Sequence, residues 1–368
     1  MPDLLPSDLP TELPVAPGSA GGSICGRTRP NGNPPAEPGA TSRLLRLTHL
    51  IGVVALLADF AVAEEPRVLR VRQSPGRVAV NVGEHPVITY VYHDDQICRP
   101  YFCDLFGPGE VRVSRNHPPV AGEDKADHPD FHPGLWLAFG ELSGADNWRL
   151  KVPVEHVRLV QEPVADGDAI AWAVENRYAD AGGDELCRER CRYEVHSLPA
   201  GYLLTWDSTF YSDQPFWFGD QEEMGLGVRM ATPLRVETTA GLPDGTGTIL
   251  DSQGRKNAAE VWGQTADWVD YSGTQDDQPA GVAIFCPPTN FRPTYFHARD
   301  YGYICANAFS TAAFKLGPPT RTTVEPGESL RLRYGVLLHA GSELTADQLA
   351  GAYKQYLSLI QQKSQQSD

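Results

Sequence analysis

A succession of short runs rich in Val, Ile, Tyr, Phe and Trp, each ended by a cluster of Gly, Pro or Asp, constrains this chain more than any other feature. The runs are Arg77–Val82, Pro86–Tyr92, Val152–Val160, Ala169–Tyr178, Arg190–His196, Tyr202–Tyr211, Gly225–Met230, Gly281–Phe285 and Ser329–His339. β-Branched and aromatic residues suit a pleated, half-buried surface, and runs of this length fit strands. The breaks, such as Phe106-Gly107-Pro108-Gly109, Gly182-Gly183-Asp184 and Pro243-Asp244-Gly245, are turn chemistry. Strands do not alternate with helical patterns, which argues against a parallel α/β sheet. One helix stands out, from Thr345 to about Lys363. There Thr345 and Gln348 form a capping box, and Leu349, Tyr353, Tyr356, Leu357 and Ile360 recur at helical spacing. The expected fold is all-β: one large, supersandwich-like antiparallel β-sandwich domain over 64–368, braced by a single C-terminal α-helix over 345–363.

Residues 1–42 are rich in Pro, Gly and Ser and show no apolar periodicity, so they read as a disordered or mis-assigned N-terminal extension. Residues 43–63 follow a signal-peptide pattern: Arg43 and Arg46 precede an apolar run that ends in the small residues Ala61-Val62-Ala63. His49 and Asp59 interrupt that run, which falls short of the roughly 20 apolar residues of a membrane-spanning helix. The mature chain is thus expected to be exported, to the periplasm or beyond the cell, with no membrane span. A formal charge of −16 repels phosphate backbones, which excludes a nucleic-acid partner. Cys25 lies ahead of the leader. The six remaining cysteines, in an oxidising compartment, suggest the close pairs Cys98–Cys103, Cys187–Cys191 and Cys286–Cys305, among many connectivities that the sequence leaves open. Their spacings do not match a zinc knuckle.

Four segments concentrate polar and aromatic residues where strands should end. In Asp127-His128-Pro129-Asp130-Phe131-His132-Pro133, the prolines exclude a helix that would aim both imidazoles at one metal. His128 and His132 therefore sit on a loop, where they either exchange protons with a ligand or brace the loop itself. Asp220, Glu222 and Glu223 lie between aromatic and glycine-rich flanks. They suit a general base, a sugar-hydroxyl acceptor or a solvated acidic loop. Trp262, Trp268, Asp270 and Tyr271 interleave aromatic faces with acids, which makes either a sugar platform or ordinary core. His297, Arg299, Asp300 and Tyr301, followed by Asn307, form the densest set. On a strand, His297, Arg299 and Tyr301 would share one face, with Arg299 as a bidentate clamp and His297 as a proton carrier.

The stretches Arg99-Pro100-Tyr101-Phe102, Asp127-His128-Pro129 with His132 and Gly134-Leu135-Trp136, Phe218-Gly219-Asp220 with Glu222-Glu223, Trp268-Val269-Asp270-Tyr271-Ser272-Gly273 and His297-Ala298-Arg299-Asp300-Tyr301-Gly302 carry a family resemblance. Together they resemble the secreted bacterial family of unknown function often labelled "methane oxygenase PmoA". The chain departs from that pattern at Cys103, where a histidine is usual, and at Asp130-Phe131. The resemblance implies a secreted β-sandwich from bacteria that degrade polysaccharides, and it does not imply methane oxidation.

These residues support three readings. The leading one is a carbohydrate-active protein doing acid–base chemistry, as a lyase, epimerase or hydrolase on a sugar or oligosaccharide. There His297 and His128 or His132 form the acid–base pair, Glu222 or Glu223 orients, and Arg299, Asp300, Tyr301 and Asn307 bind substrate together with Trp262, Trp268, Asp270 and Tyr271. The second is a non-catalytic sugar-binding sandwich. The third is a metal-dependent oxidase or oxygenase holding a divalent metal on His128, His132 and His297. The leader reading has a direct test: mass spectrometry of the native protein is expected to find a start at Glu64, and a start before Ser42 overturns it.

Overall fold

The computed structural model describes residues 67–366, so the extension and the leader fall outside the described residues. Among these residues, two large antiparallel sheets account for most of the strands. The nine-stranded sheet runs in the spatial order Leu69–Ser74, Arg77–Val82, His85–Val91, Tyr101–Cys103, Leu135–Phe139, Met224–Arg229, Tyr303–Asn307, Tyr295–Arg299 and Gln264–Thr265. The eight-stranded sheet runs Thr248–Asp251, Trp268–Gln275, Gln278–Phe285, Ser329–Ala340, Gly201–Tyr211, Glu185–Leu198, Ala169–Ala179 and Val154–Asp166. This is the all-β sandwich that the alternating runs predict.

Period-2 geometry divides each strand between two environments. Phe102, Leu135, Leu137, Ile304, Ala306, Phe296 and Ala298 of the nine-stranded sheet point inward and share one buried cluster with Trp172, Tyr193 and Trp206 of the other sheet. Phe102 packs 5.1 Å from Tyr193 and 5.4 Å from Trp206, ring centre to ring centre. Such aromatic pairs add to what area burial alone supplies. The alternate residues face outward, and part of each outer face is covered. The helix Ala346–Gln366 lays Leu349, Ala352, Tyr353 and Tyr356 on Leu203, Trp268, Phe285 and Leu337 of the eight-stranded sheet. Its start is capped as the sequence predicts: the Thr345 N–H donates to Gln348 Oε1 at 2.9 Å, and the Gln348 N–H donates to Thr345 Oγ1 at 3.3 Å. Loops cover Tyr101, Cys103, Trp136, Ala138, Tyr303 and Cys305 on the outer face of the nine-stranded sheet. None of the helices among the described residues is long and apolar enough to cross a membrane.

The expected disulfides are corrected by the structure: all six described cysteines are free thiols. Cys187 and Cys191 lie on one strand, four residues and so about 13 Å apart. A disulfide needs Cα atoms within about 7 Å. Cys305 sits on the nine-stranded sheet with Sγ 3.6 Å from the Met224 carbonyl, while Cys286 follows a strand of the opposite sheet. Cys98 turns its Sγ toward the carbonyls of Leu150 and Val152. Burial pushes the thiols of Cys103 and Cys286 up to about 12, which keeps them protonated and inert. Alkylation of denatured, unreduced protein is therefore expected to add one group at each of the six, read by mass. Leu349→Ala, at a fully buried helix contact, is expected to lower stability by about 2–5 kcal/mol in urea unfolding.

Candidate functional site

Four adjacent strands of the nine-stranded sheet place Trp136, Gly227, Cys305 and His297 side by side on the outer face. The next row on the same face holds Arg229, Tyr303 and Arg299. A Cβ on Gly227 would lie 2.7 Å from Trp136 and 3.0 Å from Trp148, so the glycine makes the gap in which both indoles rest. His132 lies over this layer, stacked 4.8 Å from Trp136 and 4.9 Å from Tyr303. His128 stacks on His132 at 4.9 Å, and His297 meets the Tyr303 ring edge-on at 5.0 Å.

Buried guanidinium groups fix the loop that carries the two histidines. Pro129 and Pro133 deny that loop a regular helix, and its carbonyls need other donors. Arg115 donates to the carbonyls of Lys125, Asp127, His128 and His132 at 2.8, 2.6, 3.2 and 2.9 Å. Arg229 donates to both carboxylate oxygens of Asp127, at 2.6 and 3.2 Å. Arg99 joins the carbonyls of Phe131, Asn147 and Trp148 at 2.5, 3.0 and 2.5 Å. All three arginines are buried.

A second loop, around residues 220–223, approaches from the other side. Burial alone would raise the Asp220 carboxyl, but the backbone N–H groups of Ala313, Ala312, Thr311 and Thr320 hold it below its ordinary value. Asn307 donates to the carbonyls of Gln221 and Glu222 at 2.9 and 3.2 Å. The Glu222 carbonyl lies 3.2 Å from His297 Nδ1, and its carboxylate lies 2.9 Å from Arg299 and 3.5 Å from His297 Nε2. Assigned from this geometry, Nδ1 carries the proton and donates to the carbonyl, so Nε2 is left with its lone pair.

Between these loops lies a cavity of about 120 Å³ lined by His128, Phe131, His132, Trp148, Arg149, Glu223, His297, Tyr301 and Tyr303. At about 30 Å³ per water it holds about four waters, enough for one end of a ligand. Arg149 pairs with Glu223 at 2.7 Å and with Asp146 at 3.1 Å. His132 Nδ1, His297 Nε2, Tyr303 Oη and, just behind the wall, Trp136 Nε1 are buried without a hydrogen-bond partner. Buried polar atoms normally have one. Burial, reinforced by the Arg299 charge, pulls His297 down to about 3 against the pull of the Glu222 carbonyl. Burial and the cations around it hold His132 well below its ordinary value. Both imidazoles are therefore neutral near pH 7. Larger clefts of about 570, 540 and 260 Å³ lie elsewhere; the first two are lined by neither histidine nor cysteine, and the third by one histidine, His339, with Glu343. Size alone does not make a reaction site, and the small cavity is where the titratable groups converge.

The structure thus gathers His128, His132, His297, Glu223 and Tyr301 around one space, with Glu222 and Arg299 at its edge. The rings of His132 and His297 both contact Tyr303, and no hydrogen bond links either loop histidine directly to His297 among the described residues. A shared substrate would have to bridge them. The strand expected to put Tyr301 on one face with His297 ends at Arg299, and Tyr301 stands in the following turn. It reaches the cavity from there, beneath Arg229 at 4.7 Å. Asn307 and Asp300 act on the backbone, with Asp300 Oδ1 accepting the Ala258 N–H at 2.9 Å. Trp262, Trp268, Asp270 and Tyr271 stay outside the cavity. Trp268 lies under the C-terminal helix, Tyr271 accepts the Val236 N–H at 3.1 Å, and Trp262 packs edge-on against Phe314 at 5.4 Å. Asp270 reaches His339 Nε2 at 2.8 Å on the eight-stranded sheet. Among the described residues no three His, Cys, Asp or Glu side chains are placed to share a metal ion, so His128, His132 and His297 do not form a ligand set. Sequence reading missed Arg149, Trp148 and Tyr303 as lining residues, and no spacing or motif singles them out.

The neutral His297 carries a pH signature. An unfolded histidine protonates near 6.5, whereas the folded one stays neutral down to about 3. Between those values only the unfolded chain takes up this proton. The stability that depends on neutral His297 is complete above about pH 6.5 and is lost progressively as pH falls toward 3, by up to about 1.4 kcal/mol per pH unit. Urea unfolding at about pH 7, 6 and 5 is expected to show a shallower pH slope for His297→Gln than for the wild type, and equal slopes would count against a buried neutral imidazole.

Comparison with curated proteins gives no match. Among solved structures, the Slr1438 protein of Synechocystis sp. PCC 6803 is similar at 13% identity, covering 75% of this chain and 93% of that one, with a TM-score of 0.32. The GH36 α-galactosidase AgaB of Geobacillus stearothermophilus is similar at 11% identity and a TM-score of 0.37, covering 75% of this chain and 42% of its own. A galactose mutarotase related enzyme of Lactobacillus acidophilus is similar at 9% identity and a TM-score of 0.30, covering 75% and 98%. The family of unknown function DUF6807 matches residues 77–354, a span that takes in the eight-stranded sheet, the nine-stranded sheet apart from Leu69–Ser74, the cavity and the start of the C-terminal helix. The chain belongs to this family of unknown function.

Proposed function

We propose that this protein is an exported, carbohydrate-active enzyme that performs acid–base chemistry, a lyase, epimerase or hydrolase step, with His297 as the base. One observation carries the reading: a buried, neutral imidazole has Nδ1 fixed on the Glu222 carbonyl and leaves Nε2 unpartnered at the wall of a cavity. In that tautomer Nε2 accepts a proton from a substrate carbon or hydroxyl, and the Glu222 carboxylate 3.5 Å away stabilises the imidazolium that results. Burial keeps the Tyr303 phenol protonated, so its unpartnered hydroxyl donates to the oxygen where charge develops. His128 lines the cavity half-exposed, 3.1 Å from Asp127. Aromatic faces of Phe131, Trp148, Tyr301 and Tyr303 beside polar groups suit a sugar ring, whose C–H face is apolar and whose rim is polar.

The oxygenase label that accompanies the family resemblance asks for a metal set, which the placement of His128, His132 and His297 does not supply. A non-catalytic sugar-binding role draws on the stacked layer of Trp136, His132 and Tyr303. The two readings separate by experiment. Incubated with a panel of oligosaccharides and oxidised sugars, the wild type is expected to give products by mass spectrometry, and His297→Gln is expected to lose about 10²–10⁴-fold in rate. Equal turnover by the variant removes His297 from the chemistry, and binding without product from either protein favours the binding module.

A further inference from the structure

We infer that the eight-stranded sheet carries a second binding site, a cleft walled by His339 that takes a neutral polyhydroxyl ligand. It shares no lining residue with the His297 cavity and does not depend on the chemistry proposed there. The cleft, of about 260 Å³, lies where the strands Gln278–Phe285 and Ser329–Ala340 meet their turns. Ladder pairing sets Thr248, Ser272, Gly281 and His339 in one row across four strands. Directly paired residues share a face, here the outer one that also carries Phe285 and Leu337.

Gly281 makes the gap in this row. A Cβ there would lie 2.7 Å from His339 Nε2 and 2.5 Å from Ser272 Cβ, so the glycine is what lets the imidazole cross its strand. On the far side His339 Nε2 reaches Asp270 Oδ1 at 2.8 Å, and Ser272 Oγ donates to Asp270 Oδ2 at 2.6 Å. The side chains of His339 and Asp270 are only 2% and 3% exposed. A carboxylate only accepts, so Nε2 carries the proton, and in the neutral ring Nδ1 is left as an acceptor. That Nδ1 is buried without a hydrogen-bond partner among the described residues, whereas buried polar atoms normally have one. Asp270 thus fixes the tautomer, and His339 brings an unused acceptor to the wall of the cleft.

The rest of the lining gives the chemistry of the ligand. Thr248, Ser272, Thr274 and Ser342 bring hydroxyls, each both donor and acceptor, which match the hydroxyls of a polyol. Neither Lys nor Arg lines the cleft, while Glu343 does, in a chain of formal charge −16, so an anion is repelled. The lining holds no Phe, Tyr or Trp, so the ligand is held by hydrogen bonds rather than by stacking. The volume falls just below the roughly 300–1,000 Å³ of sites for drug-sized molecules, which suits one small ring, a monosaccharide or a cyclitol. A ligand hydroxyl donating to His339 Nδ1 supplies the bond that the fold leaves unmade.

Nuclear magnetic resonance of the protein carrying nitrogen-labelled histidine, titrated with D-glucose, D-galactose and myo-inositol beside the anion D-gluconate, tests the inference. The His339 signals are identified by their loss in His339→Gln. At least one neutral probe is expected to shift the His339 Nδ1 resonance saturably, and D-gluconate is expected to leave it in place. Thr248→Val, an exposed change that leaves the Asp270–His339 pair intact, is expected to weaken the neutral probe about fivefold, the worth of one hydrogen bond. A His339 resonance unmoved by every neutral probe overturns the site, and so does a shift confined to His297, which places the sugar in the other cavity. An equal response to D-gluconate overturns the choice of a neutral ligand. Unchanged affinity in Thr248→Val overturns the placement of the ligand along this row.

Discussion

The candidate site depends on three buried guanidinium groups. Arg99, Arg115 and Arg229 come from different parts of the nine-stranded sheet and its approaches, and between them they hold the backbone of the loop that carries His128 and His132. A proline-bounded loop cannot satisfy its own carbonyls as a helix does. Without those donors its backbone would turn to water, and His132 would not be pressed onto Trp136 and Tyr303. The same groups add to the electrostatics: burial, reinforced by the cations that fix the loop, keeps His132 neutral. Loop anchoring and site chemistry are one interaction seen twice.

The sheet contributes rigidity of another kind. Ladder pairing fixes Trp136, Gly227, Cys305 and His297 in one row, so His297 is set by four strands rather than by a loop. Gly227 leaves room for Trp136 and for Trp148, which meets it edge-on, and the two make an aromatic floor on a face that would otherwise be wet. The Asp220 and Asn307 bonds then bring the Glu222 carbonyl to His297 and decide which nitrogen is the acceptor. Burial of a neutral imidazole costs far less than burial of a charged one, which is why this histidine sits deep in the wall.

Much of the fold was legible because its signals are local. The run Arg77–Val82 is a strand with those bounds, and the capping box at Thr345 opens the C-terminal helix. The strand Tyr295–Arg299 was legible only in part: its histidine and arginine share a face as period 2 requires, but the turn after Arg299 frees Tyr301 from that face. The disulfide expectation followed from count and compartment. It failed because cysteines close in sequence on an extended strand are far apart in space. Trp268 and Tyr271 carry the composition of a sugar platform, yet a covering helix and a backbone bond take them into the core.

By itself the sequence determined the all-β class, the sandwich and its capped helix, because propensity, alternation and turn chemistry act over a few residues at a time. It also marked the histidines, the acidic loop and the arginine-bearing strand as unusual. Only the tertiary structure decided which of them meet. Strand order brings His297 beside Tyr303 and within one cavity of Arg149, residues separated by well over a hundred positions. Ladder pairing and buried guanidinium bonds join groups by distance in space, and one-dimensional spacing carries no record of that distance.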